Sequence, residues 1–110
     1  MTSFNQRKGE FVEITAAGTD GATAAQIPSL ADTTVALIYS APGNNGVRLP
    51  EGSVGDVIEI VSLSFEAAGG EVHVYHPDMG TFLGVVNGVM TFRRMPNSGG
   101  SISWMVISKL

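Results

Sequence analysis

The stretch GVRLPEGSVGDVIEIV, residues 46–61, couples a turn to a strongly apolar extended run. Pro50 fixes its own φ and disfavours a helical conformation in the residue before it, and the glycines that follow allow a second bend. The run DVIEIVSLSF, residues 56–65, begins at once, and its branched residues and length suit a strand better than a helix. Both faces of this run carry apolar side chains at its start, which is typical of a strand in the middle of a sandwich or barrel.

Further runs with strand character lie on both sides of this one, and turn signals separate them at intervals of about eight to twelve residues. They cover residues 33–40, 71–76, 81–86, 89–95 and 101–110. Between two of them, Asn87-Gly88 predicts a hairpin. The sequence therefore predicts an all-β fold, a single antiparallel sandwich or barrel domain over residues 33–110. Its predicted core residues are Val35, Leu37, Tyr39, Val57, Val61, Leu63, Val72, Val74, Phe92, Trp104 and Val106.

Residues 1–32 have a different character. Residues 1–9 are polar, residues 11–15 have the pattern of one short strand, and small turn-prone residues fill 16–32. We expect an extended N-terminal arm, because so few large apolar residues cannot bury enough surface to order the segment alone. Two interpretations stay open: the arm docks on another chain, or it folds back as a flap on its own subunit. Its apolar anchors are Phe4, Phe11, Val12, Ile14, Ile27 and Leu30.

The composition excludes several classes of function. The net charge of −4, with only six Lys and Arg among 110 residues, gives no basic field for nucleic acid or anionic lipid. Cysteine is absent, so we expect neither disulfides nor thiolate metal sites. No apolar run approaches a membrane span and the N-terminus lacks the apolar core of a signal peptide, so we expect synthesis in the cytoplasm. The apolar fraction of 44% exceeds what a small monomer needs and predicts a homo-oligomer.

The residues that carry chemistry do not form a catalytic pattern. His73 and His76 are the only histidines, and three residues apart in a strand they point to opposite faces and cannot share a metal ion. No GxSxG elbow supports a hydrolytic triad, and the glycines match no phosphate-binding motif. We therefore expect no enzyme activity, no cofactor and no metal site.

The arginine pair and the aromatic residues can each be explained either by a structural role or by a binding role. The side chains of Arg93 and Arg94 diverge to opposite faces of a strand, so each is either a solvated charge or a contact to an acidic neighbour or another chain. The aromatic residues are spread over different strands at core-like positions, which favours a core role over a sugar-binding platform. These aromatic residues are Tyr39, Phe82, Phe92 and Trp104.

Two motifs together resemble small structural proteins and modules of tailed bacteriophages. They are NNGVRLPEGSVGDVIEIV, residues 44–61, and VHVYHPDMGTFLGVVNGV, residues 72–89. In such proteins a turn and GVRLP lead into a valine-rich strand, and a strand ending near Tyr-Pro, a Gly turn and an Asn-Gly pair follow. The resemblance covers about residues 35–90. It departs from the pattern at His76 and at residues 83–85.

The resemblance implies a non-enzymatic virion protein, and the short chain favours a head decoration, or cement, protein. Such proteins usually form trimers on the exterior of the capsid, where the partner is the major capsid protein and neither nucleic acid nor membrane is bound. Contacts to the capsid or to a neighbouring subunit are then expected at Phe11, Ile14, Ile27, Leu30, Arg93 and Arg94. The same motifs occur in fibre and tail modules.

The alternative is therefore a small tail-fibre or baseplate module that contacts a cell-surface glycan. An exposed aromatic cluster with Asn and Asp nearby would favour it, and its expected place is in the loops 42–46, 77–80 and 96–100.

Overall fold

The computed structural model describes residues 10–28, 33–64, 70–78, 81–96 and 103–109, and these residues form strands, turns and loops without a helix. The described strands are β1 (Glu10–Thr15), β2 (Ala25–Gln26), β3 (Thr33–Tyr39), β4 (Gly46–Arg48), β5 (Val57–Ser62), β6 (Val72–Tyr75), β7 (Phe82–Val86), β8 (Val89–Met95) and β9 (Ser103–Lys109). They form a five-stranded sheet in the order β1-β3-β5-β8-β9 and a four-stranded sheet in the order β2-β4-β6-β7.

From β1 to β6 the chain alternates between the two sheets, so each strand pairs in parallel with the strand two places further on. In the five-stranded sheet, Glu10 lies opposite Thr34 and Thr34 opposite Ile58, a spacing of 24 residues at both steps. Parallel neighbours need a long crossover connection, and here a strand of the other sheet provides it. The chain therefore winds through three coils before the antiparallel strands β7, β8 and β9 complete the sheets.

The all-β prediction is confirmed at this coarse level, whereas the expected antiparallel arrangement is wrong for most of the chain. Four of the seven pairings among the described strands are parallel. The hairpin predicted at Asn87-Gly88 is also wrong, because this turn joins β7 of one sheet to β8 of the other. A tight turn can reverse the chain without keeping it in the same sheet, and local turn chemistry does not distinguish these outcomes.

One apolar cluster, with residues from both sheets, forms the core. It comprises Ala16, Ile27, Ala36, Ile38, Val47, Leu49, Ile58, Ile60, Val72, Val74, Val86, Met90, Phe92 and Trp104. The core prediction is right for Val72, Val74, Phe92 and Trp104. It is wrong for exposed Tyr39, Leu63 and Val106, and Val35, Leu37, Val57 and Val61 are only half-buried.

The error in the core prediction has one cause. Strand β5 is apolar on both faces, and the face of Val57 was assigned to the core, whereas the structure buries Ile58 and Ile60. Because side chains alternate along a strand, choosing the wrong face moves the whole apolar set of a strand to the other side of the sheet. The neighbouring strand β3 shows the same error: its buried apolar residues are Ala36 and Ile38, on the face opposite to the predicted one.

The turn at Pro50 and Gly52, within residues 46–61, is held against β9. The Trp104 indole Nε1–H donates to the Pro50 carbonyl oxygen at 2.8 Å, and both groups are buried. Gly52 has a φ of 65°, and a Cβ at this position would lie 2.8 Å from Cζ2 of Trp104. Glycine is therefore required twice at this point, once for the backbone conformation and once for the close approach of the ring.

The described part of residues 1–32 is tied to the rest of the chain. Strand β1 pairs with β3 along all six of its residues. The Ile27 N–H donates to the Arg48 carbonyl oxygen at 2.9 Å, and Ile27 and Ala16 belong to the core cluster. The predicted boundary after residue 32 falls outside the described residues, so the division into an arm and a domain stays a prediction.

We expect Ile60→Asp to cost at least about 3 kcal/mol of unfolding free energy, because Ile60 is fully buried and the new carboxylate would lack a partner. Val61→Asp should cost only about 1 kcal/mol, since this neighbouring side chain is half-buried on the opposite face of β5. Denaturant titrations of both variants, followed by circular dichroism, measure the difference. Equal losses in the two variants would contradict the assignment of faces.

Candidate functional site

One side of the five-stranded sheet faces away from the core and is largely apolar. We call it the outer face, and the strand registers place on it Phe11, Glu13, Val35, Leu37, Tyr39, Val57, Glu59, Val61, Thr91, Arg93 and Met105. Phe11 is 72% exposed, Met105 53% and Tyr39 47%. Large apolar side chains exposed together on one sheet face are typical of a surface that another protein covers.

The outer face carries three charged side chains among its apolar residues. Glu13, Glu59 and Arg93 form no ion pair with any residue that the structure describes. Their charges are therefore not neutralised by direct partners within the described chain. A surface of apolar groups with a few unpaired charges of both signs suits a specific protein contact, because the charges can select the orientation of a partner.

The two edges of this sheet are also exposed. In β9 the consecutive residues Met105, Val106 and Ile107 are each about half exposed, at 53%, 44% and 50%. The opposite edge is β1, which carries Phe11. No described strand pairs with the outer side of either edge strand. An apolar edge strand offers unpaired N–H and C=O groups to a strand of another chain.

A second feature lies on the four-stranded sheet, on the side away from the core. The Phe82 ring is 49% exposed, and its centroid lies 5.7 Å from that of His73 and 5.5 Å from that of Tyr75. We call these three residues the aromatic row. Arg48 lies opposite Tyr75 in the neighbouring strand β4 and adds a cation beside the rings.

Hydrogen bonds fix the groups beside the aromatic row. The Arg48 guanidinium donates from Nε to Gln26 Oε1 and from Nη1 to the Gly21 carbonyl oxygen, both at 2.7 Å. The Tyr75 hydroxyl donates to the Thr19 carbonyl oxygen at 2.9 Å. The loop between β1 and β2 is thereby tied to β4 and β6, so the side of the row next to Arg48 is rigid.

Within the same loop, Asp20 accepts hydrogen bonds from the Thr23 hydroxyl at 2.7 Å and from the Thr23 N–H at 2.9 Å. These bonds favour the charged carboxylate, the hydroxyl bond most, and lower the pKa of Asp20 below its usual value of 3.8. Asp20 thus stays an ionised turn residue that closes the loop, and its role is local structure.

A shallow groove of about 360 Å³ runs beside Arg48. Its lining residues are Gln26, Ile27, Pro28, Arg48, Leu49, Pro50, Glu51 and Pro77. Prolines restrict the backbone of its walls. The hydrogen bonds of Arg48 to Gln26 and Gly21 fix the orientation of its guanidinium group. The lining contains no Ser, Thr, Cys or His that could act as a nucleophile or a base.

The two histidines have different neighbours. His73 is partly exposed, and its Nε2 lies 3.5 Å from Oε1 of Glu71. His76 is buried, and its Nδ1 accepts a hydrogen bond from the Asp78 N–H at 3.3 Å. No group of three or more His, Cys, Asp and Glu side chains that could hold a metal ion occurs within the described residues. In the same part of the chain no helix has the length and apolarity of a membrane span.

The structure separates the contact residues expected from the sequence. Phe11 and Arg93 are both exposed on the outer face, but they lie three strands apart, on β1 and β8. Ile14 packs against the core, and Ile27 is fully buried in it, so neither presents its side chain openly to a partner. Arg94 donates to the carbonyl oxygens of Glu51 and Met95.

Leu30 lies outside the described residues, so its expected contact stays a prediction. The sequence analysis missed the exposed Tyr39 and Met105: it predicts Tyr39 in the core and gives Met105 no role. The alternation of Trp104 and Met105 in β9 was the available signal, because burying the indole turns Met105 outward.

In comparisons with protein-family models, with curated proteins and with solved structures, nothing matches this chain. The resemblance to proteins of tailed bacteriophages therefore depends on the sequence motifs alone.

Proposed function

We propose that this chain is a non-enzymatic virion protein of a tailed bacteriophage: a head decoration protein that binds the exterior of the assembled capsid and stabilises it. The observation that carries this proposal is the outer face, a broad apolar surface with few charges on a small chain. Together with the phage-like motifs, this surface favours a role in which the protein acts by covering and joining other proteins.

The physical basis of such stabilisation is linkage. A protein that binds the assembled shell and not its separated subunits stabilises the shell by its binding free energy. The proposed partner is the major capsid protein, and the net charge of −4 argues against attraction to the DNA or to anionic membranes. After synthesis in the host cytoplasm the protein would reside on the outside of the virion.

The assembly proposed for this role is a homotrimer. The exposed apolar residues of the outer face and of β9 support self-association, because a monomer would leave them in water. The shared core between the two sheets supports a two-layer sandwich as the finer description of each subunit. Of the expected contact residues, Phe11 and Arg93 fit a subunit contact best, and residues 1–9 remain candidates for attachment to the capsid.

We expect saturable binding of the purified protein to emptied, undecorated heads of the phage that encodes it, and no binding to unassembled major capsid protein. Decorated heads should also resist heating better than bare heads, because binding to the shell alone shifts the disassembly equilibrium. Co-sedimentation and a thermal melt measure both effects.

A variant without residues 1–9 keeps β1 and serves as the matched test of attachment. It should melt like the intact protein and bind the heads at least about tenfold more weakly. Absence of binding by the intact protein would refute the decoration role. Unchanged binding by the truncated variant would remove residues 1–9 from the attachment site.

The aromatic row favours a second candidate function, a tail-fibre or baseplate module that binds a cell-surface glycan. Sugars stack their apolar faces on exposed aromatic rings, and Phe82 offers such a ring on a rigid support. The turn at Pro77 and Asp78, one of the loops expected to contribute, lies between β6 and β7 and so begins beside the row.

For this candidate we expect binding to the purified surface polysaccharide of the host and at least about a tenfold loss in Phe82→Ala, because the stacking platform is removed. Phe11→Ala is the matched control, since it truncates an exposed phenylalanine on the other sheet. Isothermal titration calorimetry measures both variants. Equal affinities for the two variants would contradict a glycan site at the aromatic row.

A further inference from the structure

We infer that copies of this chain associate head-to-tail through the two edges of the five-stranded sheet, with β9 of one copy pairing in parallel with β1 of the next. This inference deepens the homo-oligomer of the proposed function and rests on that part of it, and it is independent of the capsid. It names the interface, the partner and the direction of the contact.

The directions of the edge strands set the geometry. Strands β1, β3 and β5 run parallel, β8 runs against β5, and β9 runs against β8, so β9 has the same direction as β1. Rotation of a neighbouring copy about an axis parallel to the strands keeps the strand direction. The β1 of that copy can therefore lie parallel to the β9 of the first copy. The pairing continues the parallel arrangement that β1 and β3 already have.

The exposed residues of β9 provide the driving force. Met105, Val106 and Ile107 are exposed in succession, so both sides of this edge strand are apolar and open. Proteins usually protect an edge strand with charges, prolines or a covering segment. In β9 the only charged residue is Lys109 at the end of the strand. A strand from a second copy would cover the apolar part and satisfy the unpaired backbone groups.

Charge favours the head-to-tail contact over the pairing of two β1 edges. Strand β1 contains Glu10 and Glu13 and no basic residue, whereas the only charged residue of β9 is Lys109. Pairing of β1 with β1 would bring glutamates together, while pairing of β9 with β1 joins an acidic edge to a basic one.

A ring formed this way covers both edges of every subunit. Head-to-tail contacts close into rings when the rotation closes.

The test uses two variants that each damage one edge. Phe11→Lys places a charge on β1 and leaves β9 intact, and Ile107→Lys does the reverse; both side chains are exposed, so the subunit should fold normally. We expect the wild-type protein to form a closed oligomer and each variant alone to sediment as the 11.5 kDa monomer. An equimolar mixture should form a 1:1 dimer of twice that mass, because one intact β9 and one intact β1 remain.

Val54→Lys is the matched control, since Val54 is exposed at 60% in a loop outside both edges, and it should assemble like the wild type. Circular dichroism of each variant checks the fold. A Phe11→Lys protein that still assembles alone, or a mixture that stays monomeric, overturns head-to-tail pairing while the proposed trimer stands. A wild-type protein that remains monomeric at micromolar concentration overturns both.

Discussion

The parallel register between β1, β3 and β5 is the constraint on which the rest of the structure depends. It stacks Val12 on Ala36 and Ala36 on Ile60, so one column of apolar side chains runs through three coils on the core side of the sheet. Complete burial of a side chain such as Ile60 stabilises the fold by about 1.5–3 kcal/mol. Because side chains alternate, the same register fixes which residues are turned to the outside.

The surface properties follow from this arrangement. Among the described strands, the first of the parallel coils lies at an edge of the five-stranded sheet, and that strand is β1. The antiparallel end contributes the other edge, β9, which is held in place by the bond from the Trp104 indole to the Pro50 carbonyl. The outer face between them is apolar because β3 and β5 are apolar on both sides. Capsid binding and head-to-tail assembly are both proposals about how these exposed groups become covered.

The sequence identifies the strands well and their arrangement poorly. The predicted run 33–40 begins at the first residue of β3, and the run 56–65 begins one residue before β5, because branched residues bounded by turn signals mark strands locally. Strands β2 and β4 were missed, since Ala25–Gln26 and Gly46–Arg48 are short and lie in turn-rich segments. The 24-residue spacing has no visible repeat because EFVEIT, TTVALIY and VIEIVS share only their apolar character.

The same limit applies to the candidate site. Phe11 and Arg93 are predicted contact residues, and the structure exposes both on the outer face, three strands apart. Tyr39 was placed in the core because a strand apolar on both faces gives no local signal for its buried side. The aromatic row could not be predicted, since Tyr75 and Phe82 meet only through the pairing of β6 with β7.

The edges of the five-stranded sheet are exposed within one subunit, and in the proposed assembly another copy covers them. Amide hydrogen exchange of β9, measured by NMR in a concentrated and in a strongly diluted sample, distinguishes covered from open edges. We expect the amides that point away from β8 to exchange slowly in the concentrated sample and to lose this protection on dilution, while the amides bonded to β8 keep theirs. Equally fast exchange of the outward amides at both concentrations would contradict it.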